Sequence, residues 1–69
     1  MEKLSLKEVR LSRGFLQREV AFKSDICRSF YCQIENGSRI PSLKVAKRIC
    51  IVLGINLETF YDCIILNKN

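Results

Sequence analysis

An all-α fold is what this sequence predicts, on three observations. Apolar residues recur at helical three- and four-residue spacing along the whole chain, no stretch sustains the alternation of a half-buried strand, and a single proline interrupts the pattern. The chain has 69 residues, the length of one domain over 1–69, which buries only about 60% of the surface its unfolded form exposes. That leaves little room for a substrate cleft of roughly several hundred cubic ångströms. The absence of histidine removes the commonest general base and the commonest zinc ligand. The sequence therefore reads as a non-enzyme with no cofactor and no metal.

Each helix has a start signal, a stop signal or both. Ser5 followed by Glu8 forms the capping-box pattern for a first helix whose inward side carries Leu6 and Val9, with Leu4 and the aliphatic stem of Arg13 as further candidates. Gly14 stops it. Phe15 and Leu16 lead into a second helix from Gln17 to about Lys23, burying Val20 and Ala21, and Ser24-Asp25 interrupts it. A third helix opens near Cys27 and runs through Glu35 with Tyr31 and Ile34 facing inward, and Asn36-Gly37 closes it. Pro41 holds Ile40 out of the helical region, and Ser42 caps a fourth helix burying Leu43, Val45 or Ala46, Ile49, Cys50 and Leu53. Gly54 ends that helix. Asn56 caps a fifth through Leu57, Phe60, Tyr61 and Ile64, with Ile65 a further candidate and fraying at residues 67–69.

The N-terminal MEKLSLKEVR is broken by charges and matches neither a signal nor a transit peptide. The apolar stretches at 49–55 and 63–66 fall short of the roughly 20 residues a bilayer requires. The expectation is a cytoplasmic protein with no membrane partner. Cys27, Cys32, Cys50 and Cys63 lack CxxC spacing, and the chain has enough Leu, Ile, Val and Phe for a core without staples, so they read as reduced thiols. The net charge is +5. Seven Lys or Arg stand against five Asp or Glu through Glu35, whereas residues 36–54 carry Arg39, Lys44, Lys47 and Arg48 and no acid. A local basic excess of this kind suits a polyanion.

The segment from Gln17 to Gly37, QREVAFKSDICRSFYCQIENG, resembles the helix-turn-helix of the Xre family, the group of the lambdoid phage repressors and Cro. Gln17 opens the second helix, Glu19, Val20 and Ala21 lie within it, Asp25 stands at the turn, and QIENG closes the third helix. LKEVRLSRG resembles the family's first helix and IPSLKVAKRICIVLGINLETFY its fourth and fifth, so the resemblance runs from Leu6 to Tyr61 without a gap. It implies a compact five-helix, lambda-repressor-like DNA-binding domain, with the helix-turn-helix at about 17–36 and a dimerising C-terminal helix at about 57–66. Departures are specific. Asp25 replaces the usual turn glycine, Leu16 the usual Ser or Thr cap, and Cys27 the usual polar cap of the third helix. Tyr31 stands at a usually aliphatic position, and Phe22 and Phe30 at commonly polar ones.

The resemblance implies a sequence-specific regulator of transcription, bacterial or phage-encoded, that binds double-stranded DNA. Only outward residues of the third helix reach base edges in the major groove, which points to Arg28, Ser29, Cys32 and Gln33. Arg28 suits guanine O6 and N7, Gln33 suits adenine N6 and N7, and Cys32 offers at most apolar contact with a thymine methyl. Gln17 and Asn36 are the phosphate ligands the resemblance implies, joined by Arg39 and Lys44 on charge and position. Lys47 and Arg48 suit a solvated face equally well. Arg10 and Glu35 match the family's partly buried ion pair, a structural role. The apolar tail predicts a homodimer on a palindromic operator through Phe60, Tyr61, Ile64 and Ile65. Whether the regulator represses or activates depends on operator position, and a regulatory protein partner is a further expectation. The alternative is an antitoxin-like protein-binding module, with Leu11, Leu16, Phe22 and Phe30 as its patch.

Overall fold

Local signals place five helices in order: α1 Leu6–Ser12, α2 Gln17–Lys23, α3 Arg28–Glu35, α4 Leu43–Leu53 and α5 Leu57–Asn67. The structure, a computed structural model, describes the backbone of residues 4–67 and the side chains of residues 4–65. Among the described residues there is no strand. Helix α5 continues through Asn67, and the rest of the expected fraying falls on residues outside those described.

The helix starts vary in chemistry but all supply partners to otherwise orphaned backbone N–H groups. The Glu8 N–H donates to Ser5 Oγ at 3.3 Å while the Ser5 N–H donates to Glu8 Oε1 at 2.8 Å, a complete capping box. Leu16 has no acceptor, so α2 keeps only the reciprocal half, the Leu16 N–H donating to Glu19 Oε1 at 2.7 Å. At α3 the thiol stands in for a hydroxyl: the Phe30 N–H donates to Cys27 Sγ at 3.4 Å. Ser42 caps α4 through the Val45 N–H at 3.3 Å, and Asn56 caps α5 through the Thr59 N–H at 2.8 Å. Asp25 takes the left-handed conformation, φ 61°, that the turn requires.

Inward stripes from all five helices meet in one core of Leu6, Val9, Val20, Ala21, Tyr31, Ile34, Ala46, Ile49, Cys50, Leu53, Phe60, Cys63 and Ile64. Helix α2 packs on α3 and α4, and α5 on α1, α3 and α4. Ala46, not Val45, takes the inner position of α4. Leu43, expected inside, is exposed because it stands in the first turn, off the stripe through Ala46, Ile49 and Leu53. Leu4 is likewise exposed. Arg13 does not lay its stem along α1's inner side. Its Nε reaches across and donates to the Leu53 carbonyl at 2.7 Å, capping the end of α4. Cys50 and Cys63 are core residues, Cys27 is exposed and Cys32 is half-buried. Burial pushes the Cys50 and Cys63 thiols up, keeping both neutral at ordinary pH.

Candidate nucleic-acid interface

A buried polar network fixes where α3 lies relative to α1 and α2. Arg10 and Glu35 are 5% and 4% exposed, and Arg10 Nε donates to Glu35 Oε2 at 2.8 Å while Nη2 donates to Oε1 at 3.2 Å. The remaining arm of the guanidinium, Nη1, donates to the Phe15 carbonyl at 2.8 Å, tying in the turn before α2. Gln17 Nε2 also donates to Glu35 Oε1, at 2.9 Å, and the Cys32 thiol donates to Gln17 Oε1 at 3.2 Å. The Glu35 hydrogen bond holds the Arg10 pKa above its ordinary value. Burial works to raise the Glu35 pKa, yet the hydrogen bonds from Arg10 and Gln17 act against it, and the carboxyl is held below its usual range. Burial first, and Glu35 second, push the Tyr31 phenol up.

With Tyr31, Ile34 and Glu35 turned inward, the roughly 100° step per residue leaves Ser29 and Gln33 outermost on α3. Arg28 and Cys32 fall on the flank toward α2, and Phe30 on the opposite flank. Arg28, Ser29 and Gln33 are exposed, as base-reading residues must be. Cys32 is a correction. It is half-buried with its thiol held by Gln17, linking α3 to α2, and does not share the exposure of Arg28, Ser29 and Gln33.

The expected phosphate ligands lie on both sides of this edge. Gln17 is half-buried and both ends of its amide serve the internal network, but Nε2 has a second hydrogen beyond the one given to Glu35. A shallow groove beside it is lined by Arg10, Leu16, Gln17, Arg18 and Arg28. Arg18 escaped the sequence reading, although its place in the first turn of α2, next to Gln17, was the available signal. On the other side, exposed Asn36 accepts from the Ser38 N–H through Oδ1 at 3.0 Å, shaping the loop and leaving its NH₂ pointing elsewhere. Arg39 and Lys44 are exposed, and the Arg39 guanidinium lies 5.5 Å from the Phe30 ring centroid. Arg48, one of the two undecided cations, pairs with Asp25 at 3.7 Å.

The four residues assigned to self-association separate. Phe60 and Ile64 are interior residues of a helix packed on α1, α3 and α4, and are withdrawn from the candidate interface because they offer almost no surface. Tyr61 is half-buried and Ile65 is 64% exposed. Among the described residues no cluster of three or more His, Cys, Asp or Glu could hold a metal, and no helix is long and apolar enough to cross a membrane.

Comparison with known proteins gives two likenesses. The sequence pattern of the helix-turn-helix family matches residues 6–60. A Bacillus subtilis (strain 168) protein, the uncharacterized HTH-type transcriptional regulator YqaF, is 46% identical over 57 residues, which are 83% of this chain and 75% of that protein. No solved structure matches the chain.

Proposed function

The chain belongs to the Xre-type helix-turn-helix family, and from that premise we propose that it is a DNA-binding transcriptional regulator that reads a palindromic operator as a homodimer. One observation carries the reading. The Arg10–Glu35–Gln17 network locks α3 against α1 and α2 so that Ser29 and Gln33 form an exposed edge, with exposed Arg28 and Arg18 and half-buried Gln17 on its α2 side and Arg39, beside Phe30, on the other. Arg28 and Gln33 serve as base readers with Ser29 as an adaptable third. Gln17, Asn36, Arg39, Lys44 and Arg18 hold phosphates and set register. Tyr61 and Ile65 form the solvent-facing part of the dimer contact. Two copies related by a two-fold axis would set their α3 helices one DNA turn, about 34 Å, apart. Its bacterial relative and its need for chromosomal DNA support a cytoplasmic, bacterial or phage-borne setting, and nothing in the arrangement calls for a cofactor or a reaction.

Selection of bound sites from random duplex DNA tests the reading. Wild-type protein should enrich a two-fold symmetric site, and its affinity should fall steeply with salt in proportion to the phosphates contacted. Arg28→Ala and Gln33→Ala should each relax one position per half-site and lose about 1 to 3 kcal/mol of discrimination there, roughly 5- to 150-fold. Base preference that stays intact in both variants would show that the readers are assigned wrongly.

A second reading has an observation of its own. Phe22 is 85% exposed in the middle of α2, beside exposed Arg18, Glu19 and Lys23. On a protein-binding module of the same fold, Phe22 would be the anchor, with Leu11 and Leu16 nearby in sequence. Phe30 fits that patch poorly, since it is half-buried against the core. Absence of a mobility shift on DNA at any salt concentration would favour this alternative.

A further inference from the structure

Phe30 occupies a flank of α3 where a soluble helix ordinarily shows a polar side chain, and its surroundings account for it. One side of the ring packs against the core. Over its face lies the Arg39 guanidinium, 5.5 Å from the ring centroid, within the range in which a cation is attracted by the ring's electron-rich face. The loop that brings Arg39 there is anchored independently. The Ser38 and Arg39 N–H groups both donate to the Gln33 carbonyl, at 2.8 and 3.2 Å, and the Ser38 N–H donates also to Asn36 Oδ1 at 3.0 Å. Backbone and side chain of Arg39 are thus each tethered to α3, the backbone at Gln33 and the guanidinium at Phe30.

We propose that Phe30 is a positioning residue for DNA binding: its ring parks the Arg39 guanidinium along the flank of α3 opposite Arg28, ready to meet a phosphate. Arginine has many rotamers, and ordering it at the moment of binding costs affinity. Stacking leaves the guanidinium's edge, where its N–H donors lie, free for phosphate oxygens while restricting those rotamers beforehand. Arg28 on one flank and Arg39 on the other then bracket the Ser29–Gln33 edge. The inference rests on the DNA-binding reading but adds a role for a residue that touches no base.

Fluorescence anisotropy with a short labelled duplex of random sequence, measured over a salt series, tests it. Phe30→Leu keeps an apolar side chain against the core and removes the ring. It should weaken binding about two- to five-fold with the salt slope near its wild-type value, since Arg39 still meets its phosphate but must be ordered on binding, whereas Arg39→Ala should lower the slope by about 0.9 for one lost phosphate. Phe30→Tyr should restore the affinity, and the Phe30→Leu/Arg39→Ala double variant should bind no more weakly than Arg39→Ala alone. A Phe30 that only supported the fold would lower the active fraction and leave the affinity of the folded fraction at its wild-type value. Wild-type affinity in Phe30→Leu, or independent multiplying losses in the double variant, would overturn the inference while DNA binding stands. A wild-type protein that binds no duplex would overturn both.

Discussion

Glu35 shows how much a single side chain coordinates here, since α1, α2 and α3 all reach it through Arg10, Gln17 and its own helix. Removing one member of a buried pair leaves an uncompensated charge, a cost of about 3 to 5 kcal/mol that is a large part of the stability of a small domain. Loss of DNA binding in an Arg10 variant would therefore reflect folding and not contact. The pH dependence has a definite sign. Glu35 titrates below its ordinary value of 4.5 in the folded state, so its stabilising share is complete above the unfolded pKa and disappears as pH falls through the folded one. Urea midpoints should hold steady from pH 7 to about 5 and drop below the ordinary carboxylate range. A paired replacement, Arg10→Met with Glu35→Leu, should recover most of what either single change loses and remove that part of the acid sensitivity. An unaltered acid profile in the pair would mean that other carboxylates govern it. The Arg10–Glu35 pair was legible because both residues match the family pattern. The Gln17 and Cys32 links were not, because nothing in a sequence says which end of an amide a thiol will face.

At the scale of an element, each helix could be found in the sequence because its start and stop are local events. A side-chain cap spans three residues and a left-handed C-terminal residue only one, so Ser5, Ser42, Asn56, Gly54 and Asp25 could be placed without knowing the fold. Where the expected cap chemistry was missing, the helix formed on a weaker substitute: Glu19 alone at α2, and a sulfur acceptor at α3. Sulfur accepts weakly. Cys27→Ser should therefore strengthen the start of α3 by about 0.5 to 1 kcal/mol, seen as a rise in melting temperature of roughly 2 to 8 °C, and Cys27→Ala should lower it. A melting temperature for Cys27→Ala equal to that of the wild type would show that the contact at 3.4 Å contributes nothing.

For the whole molecule, the apolar tail from which the sequence predicts self-association is only partly open to solvent. Helix α5 gives Phe60, Cys63 and Ile64 to the core of its own chain, so of the residues proposed for a dimer contact Tyr61 and Ile65 are the ones that reach solvent. Sedimentation at tens of micromolar should find dimer for the wild type. Ile65→Glu changes a side chain that is already 64% exposed; it should yield a folded monomer with unchanged helix content and weaker binding to a palindromic site. Monomeric wild-type protein, both free and on a palindrome, would remove the dimer from the proposal.

The sequence by itself determined the class, the five helices, their caps and the greater part of the core, because these depend on periodicity and on contacts within one turn of the chain. It also marked Arg28, Ser29, Cys32 and Gln33 as outward residues, since two inward neighbours on a helix define the opposite arc, and all but Cys32 are exposed. Tertiary structure alone decided what lies on the flanks of that arc: Cys32 turned to Gln17, Arg39 laid on Phe30, Arg13 carried across to the end of α4, and Leu43 left uncovered. These outcomes depend on how separate helices cross, and crossing is set by all the packed side chains together. No local pattern encodes it.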